Sequence, residues 1–176
     1  MSVVPIRLYG DPVLREKATE ITRVNDSIIK LVADMLDTLK EAQGLGLAAN
    51  QVGVLKRVFV VNLSHVKEGE TPFAIMNPVL MDKAGEIIGE EGCLSIPGIY
   101  EDVLRAKKVT FKGLDIAGKE ITIQAEDLLS RVMQHELDHL NGILFIDHLS
   151  KIKKEEIDFK LDKISEKSLE SKRSFF

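Results

Sequence analysis

The segment His135-Glu136-Leu137-Asp138-His139 carries the clearest chemistry in the chain. On a helix, residues four apart stand one above the other on the same face. Two imidazoles at that spacing hold one divalent cation. Glu136, turned about 100° from His135, is long enough to reach a water beside that cation as a general base. An open catalytic site still needs a third protein ligand. In the longer pattern H-E-x-x-H-x-x-G-x-x-H that ligand would fall at position 145, and Phe145 has no donor atom. Glu155, Glu156 and Glu166 follow in a charged stretch that reads as a solvated face. Cys93 is the better candidate. It is the single cysteine, in the Gly- and Pro-flanked, turn-like stretch Glu91-Gly92-Cys93-Leu94-Ser95-Ile96-Pro97-Gly98. A thiolate on a divalent cation loses its proton outright. Two histidines, one cysteine and a water would bring the pKa of that water from about 15.7 towards 7. His65 and His148 are isolated in sequence and are expected on the surface.

Leu128, Val132, His135 and His139 share one helical stripe. Leu128 and Val132 form either an apolar wall for a medium-sized apolar substrate side chain or plain core. Asp138, on the same helix, needs a partner if the helix is buried. Arg105 is expected to pair with it and to fix the Cys93 segment against the helix. Gly44-Leu45-Gly46-Leu47-Ala48-Ala49-Asn50-Gln51 mimics a dinucleotide-binding G-x-G-x-x-A. That fingerprint follows a strand and opens a helix. Here it follows a helix and precedes a strand, which excludes it. Small residues instead let a backbone approach an extended peptide closely, and Gln51 ends the stretch with an amide donor. A tight loop packed on the core is the other reading.

These residues need a scaffold. Residues 1–24 read as an irregular arm. A helix follows, capped by Asn25 or Asp26, with Ile28, Val32, Met35 and Leu39 on one face and Gly44 as its left-handed end. Val58–Leu63, Phe73–Met76, Val109–Leu114 and Glu120–Ala125 read as strands, the last two joined by a hairpin over Asp115–Lys119. A second helix spans about Asp127–Asn141 and ends at Gly142. Leu128, Leu129, Val132, Met133, Leu137 and Leu140 make it apolar on nearly every side, so it belongs inside the domain. Residues 151–176 form a charged helix and tail with one narrow stripe, Ile157, Leu161 and Ile164, fraying near Phe176. Helices segregated from strands argue an α+β fold with mostly antiparallel pairing. The 176 residues fit one catalytic domain, a core over 1–150 plus the tail. With 44% hydrophobic and 30% charged residues, the chain is neither wholly disordered nor collagen-like. A net charge of −4 disfavours DNA, and no apolar run is long enough to span a membrane. One cysteine and no secretory signal point to a reducing, cytoplasmic setting.

Three segments together resemble the peptide deformylase family. Its motifs G-x-G-x-A-A-x-Q, E-G-C-L-S and Q-H-E-x-D-H-L-x-G match GLGLAANQ at 44–51, EGCLS at 91–95 and QHELDHLNG at 134–142. Asp11-Pro12-Val13-Leu14-Arg15 also resembles the family's start, so the likeness covers about residues 5–150. The resemblance implies an α+β fold with sheets around a central helix bearing the two histidines. It implies Cys93, His135 and His139 as ligands of one Fe²⁺, with Zn²⁺, Ni²⁺ or Co²⁺ able to substitute. It implies Glu136 as proton shuttle, and the Gln51 amide and Leu94 N–H as oxyanion donors, while metal-activated water attacks a formyl carbon. The substrate would be the N-formylmethionyl end of a nascent polypeptide. Leu45, Gly46, Gly92, Leu128 and Val132 would bind it, and Asp138 and Arg105 would support the site. Apart from the resemblance, Tyr100 is expected to edge the groove from its place after the Gly98 turn. The charged C-terminal helix, with Lys151, Lys153 and Lys154, is a candidate ribosome contact. A metalloprotease, and a silent metal-stabilised module that binds nascent chains, remain as other readings.

Overall fold

The computed structural model describes residues 2–173 and, of these, the side chains up to residue 170. The expected fraying near Phe176 lies outside the described residues. Asn25 caps the first helix, α1 (Asp26–Glu41), its side chain accepting the Ile28 N–H at 3.1 Å. Ile28, Val32, Met35 and Leu39 are buried, as the spacing requires. The left-handed residue that follows is Gln43 (φ 53°) and not Gly44. Gly44 answers a packing demand instead, since a Cβ there would stand 2.8 Å from methyls of Leu39 and Leu94.

The middle of the chain is β1 (Gly46–Ala48), a 3₁₀ helix (Ala49–Val52), β2 (Val58–Val61), β3 (Phe73–Cys93), β4 (Ile96–Leu114) and β5 (Glu120–Glu126). Each strand pairs antiparallel with the next, giving one sheet in the order β1-β2-β3-β4-β5. With α2 (Asp127–Leu140) and α3 (Lys151–Arg173) the fold is α+β, as read from the sequence. The plural sheets of that reading are one continuous ladder. Two expected strands, Phe73–Met76 and Val109–Leu114, are only the ends of a long β3–β4 hairpin. The Cys93 segment is not a loop either. A two-residue turn, Leu94-Ser95, joins Cys93 to its partner Ile96.

β2 is buried on both faces. Val58 and Val60 pack in one cluster with Met35 and Leu39 of α1. Phe59 and Val61 pack in another with Met133 and Leu140 of α2. The sheet therefore lies between α1 and α2. The buried side of α2 is more polar than its sequence suggested. It includes Ser130, Arg131, His135 and Glu136, whereas Leu128 is 41% exposed. A third cluster joins Ile157, Leu161 and Ile164 of α3 to Ile96, Ile99 and Val103 of β4. Among the described residues no helix is long and apolar enough to cross a membrane.

Candidate active site

Cys93 ends β3, and its thiol faces α2. Its Sγ lies 3.2 Å from His139 Nε2, which lies 3.2 Å from His135 Nε2. Donor atoms of all three residues fall within 4.8 Å of one another. Ligands bound at about 2.0–2.3 Å to a tetrahedral cation stand roughly 3.3–3.6 Å apart, so the set fits one such ion. The second nitrogens differ. His135 Nδ1 donates to Glu91 Oε2 at 3.0 Å, which turns the Nε2 lone pair towards the thiol. His139 Nδ1 is buried with no hydrogen-bond partner. Phe145, which has no donor atom, stacks on His135 with ring centroids 6.2 Å apart and supports that ring.

Electrostatics separate the two imidazoles. Burial alone would lower the His135 pKa, but hydrogen bonds to Cys93 and Glu91 raise it well above the ordinary value. Burial, with the charge of His135, lowers that of His139. Glu136 follows His135 on the buried side of α2. Burial pushes its carboxyl up to about 7, the charge of His135 opposing and those of Glu91 and Asp138 adding. A carboxyl in that range suits proton transfer at neutral pH. Its Oε2 is buried and unpartnered.

Gln51, in the 3₁₀ helix after β1, is fixed at both ends of its amide. Oε1 accepts from Ala48 N–H at 2.8 Å, and Nε2 donates to Ser95 Oγ at 3.1 Å while lying 3.5 Å from Cys93 Sγ. A cavity of about 390 Å³ opens over these groups. Leu45, Gly46, Gly92, Leu94, Leu128 and Val132 line it, as does Tyr100. Every candidate for substrate contact thus borders one space. Arg105 lies behind it and donates to Asp138 Oδ2 at 2.6 Å, the expected pair.

Three residues escaped the sequence reading. Glu91 receives Arg105 Nε and Nη2 at 2.7 and 3.0 Å, and Arg131 Nη1 at 2.9 Å. It stands two residues before Cys93, so on a strand both side chains face α2. That spacing would have exposed it had β3 been recognised. Arg131, four residues before His135, shares the face of the helix that carries both histidines. His148 is not isolated but meets Asp138 Oδ2 at 2.7 Å.

A thiol, two imidazoles and an unpaired acid on an HExxH helix suit the metal-dependent hydrolases of amide bonds. Comparison with known proteins narrows the class. A family model described as polypeptide deformylase matches residues 3–155, and the chain belongs to that family. A peptide deformylase of Alkalilimnicola ehrlichii is 47% identical over 165 residues, 93% of this chain and 92% of the relative. The crystal structure of a peptide deformylase from Legionella pneumophila superposes with a TM-score of 0.87 at 42% identity, covering 97% and 98% of the two chains. That of Ehrlichia chaffeensis, in complex with actinonin, gives 0.86 at 41% identity, covering 95% and 98%. The family's reaction is the deformylation of newly made polypeptides by hydrolysis.

Proposed function

We propose that this chain hydrolyses the N-formyl group of nascent formylmethionyl polypeptides in the cytoplasm through a centre held by Cys93, His135 and His139. The native ion is Fe²⁺, and Zn²⁺, Ni²⁺ or Co²⁺ can replace it, since two imidazoles and a thiolate accept each of them. When bound, the ion supplies Lewis acidity and makes water a nucleophile at neutral pH. Glu136 takes the proton of the attacking water and returns it to the leaving amine nitrogen. Its unpartnered Oε2 and raised pKa suit both transfers. The Gln51 amide and the Leu94 N–H donate to the formyl oxygen as negative charge develops on it. Each such donor is worth about 2.7–4 kcal/mol in the transition state. Leu128, Val132 and Leu45 hold the methionine side chain, and Gly46 and Gly92 admit the substrate backbone. The pair Arg105–Asp138 steadies the helix behind the ligands. The C-terminal helix is a candidate ribosome contact.

The observation that carries this reading is the convergence of donor atoms of Cys93, His135 and His139 within 4.8 Å, beside a cavity that Cys93, His135, Glu136 and Gln51 line. Formate release from formyl-Met-Ala-Ser, with the acetyl analogue and internal peptide bonds resistant, is the expected result. Cleavage of internal bonds with formyl peptides inert would overturn it.

A further inference from the structure

Arg131 is a guanidinium buried beside the cavity, and its charge is costly there unless partners satisfy it. It reaches from α2 to both strands of the β3–β4 hairpin. Nη1 donates to Glu91 Oε1 at 2.9 Å and to the Val103 carbonyl of β4 at 2.8 Å. Nη2 donates to the Ile87 carbonyl of β3 at 2.9 Å. Gly89, which pairs with Val103, lies against the same guanidinium. A Cβ at Gly89 would stand 3.1 Å from Nη2 and 3.3 Å from Cζ. Ile87, Gly89 and Glu91 alternate along β3, so together they form a seat for one arginine.

The carboxylate in that seat is shared. Glu91 Oε1 accepts from Arg131 and Arg105, and Oε2 from Arg105 and His135 Nδ1. Arg105 approaches the carboxylate along both oxygens. Arg131 adds a second tie, beside His135 Nδ1, between the carboxylate and the helix bearing His135.

We propose that Arg131 is a positioning residue for the metal centre: it seats Glu91 so that the carboxylate fixes the orientation and tautomer of His135, and Gly89 leaves the space its guanidinium needs. The inference rests on the reading of Cys93, His135 and His139 as ligands. A residue that orients a ligand's hydrogen-bond partner acts on ion affinity and on the ligand's proton, whereas a purely structural residue acts on stability alone.

The test uses Zn²⁺-loaded protein. Zn²⁺ affinity is measured by competition with a chelator, and the His135 Nδ1 proton is followed by NMR. Arg131→Met should weaken Zn²⁺ binding about 10-fold and shift or broaden the Nδ1 signal. Arg131→Lys keeps a charge near Glu91 but cannot span both carbonyls, so it should fall between Arg131→Met and the wild type. Gly89→Ala, which keeps the arginine and crowds it, should shift both readouts in the same direction by less. Folded Arg131→Met protein with wild-type affinity and an unmoved Nδ1 proton overturns the proposal. Should that variant fail to fold, the same result from Gly89→Ala overturns it. Wild-type protein that binds no Zn²⁺ would instead overturn the ligand assignment.

Discussion

Gly46 and Glu136 show how one missing carbon shapes the chemistry. A Cβ at Gly46 would stand 2.8 Å from Glu136 Cγ and Cδ and would run into Oε1. The acid therefore occupies its place only because β1 passes it as bare backbone. Gly46→Ala should push the carboxylate off its position and lower kcat by about 10²-fold or more, the scale of a lost proton shuttle. Circular dichroism should show the fold retained. A Gly46→Ala enzyme within a few-fold of wild type would show that Glu136 needs no such close approach. Ser95 acts on Gln51 by a gentler route, accepting the amide hydrogen bond that fixes which way Nε2 points. Cys93, His135, His139, Glu136 and Gln51, which the fold brings together, were legible in the sequence because each sits in a short motif whose spacing is chemical. Arg131 was not. Its carboxylate partner lies 40 residues away, and nothing local announces the contact.

At the scale of elements, α3 is held by a narrow stripe. Ile157, Leu161 and Ile164 are buried while Ile152 and Phe159 stand in water. Leu161→Ala should cost about 2–3 kcal/mol in urea unfolding, whereas Phe159→Ala, 69% exposed, should cost about 0.5 or less. Equal costs would mean that α3 is not docked by that stripe. This helix and α1 were legible because a 3.6-residue period survives in a single sequence. The hairpin between residues 77 and 108 was not, for a physical reason. Residues 81–86 are exposed on both faces of the ribbon, and further along Ile88 and Leu104 stand in solvent beside Glu86, Glu90 and Lys108, so apolar residues do not mark a buried side. Its register also slips. Between the pairs Glu91–Glu101 and Cys93–Ile96, two residues of β3 advance against five of β4. Such irregularity re-aims side chains beside a site and has no signature in composition.

The N-terminal arm gives the whole molecule its closure. Arg7 N–H donates to the Gln51 carbonyl at 2.7 Å, Tyr9 N–H to that of Ser95 at 2.8 Å, and Ala18 N–H to that of Leu140 at 2.9 Å. One irregular strap thus binds the glutamine segment, the cysteine turn and the end of the histidine helix. Leu14 buries its side chain in the core, and beside it Arg15 makes a two-pronged pair with Asp147, whose carboxylate also accepts the Leu144 N–H. Burial would raise the Asp147 pKa, but the Arg15 and Leu144 hydrogen bonds hold it below its ordinary 3.8. A carboxyl depressed on folding stabilises the protein above its unfolded pKa, and that contribution fades as pH falls through the folded value. The side chain is 36% exposed, so water screens the pair and its worth is about 0.5 kcal/mol. Asp147→Asn should therefore be less stable than wild type by about that amount near pH 7. The gap should narrow as the pH is lowered through about 4 and vanish once both proteins carry a neutral group there. Urea midpoints taken across that range test it. A gap that stays constant with pH would mean that the strap is anchored by the shape of residue 147 and not by its charge.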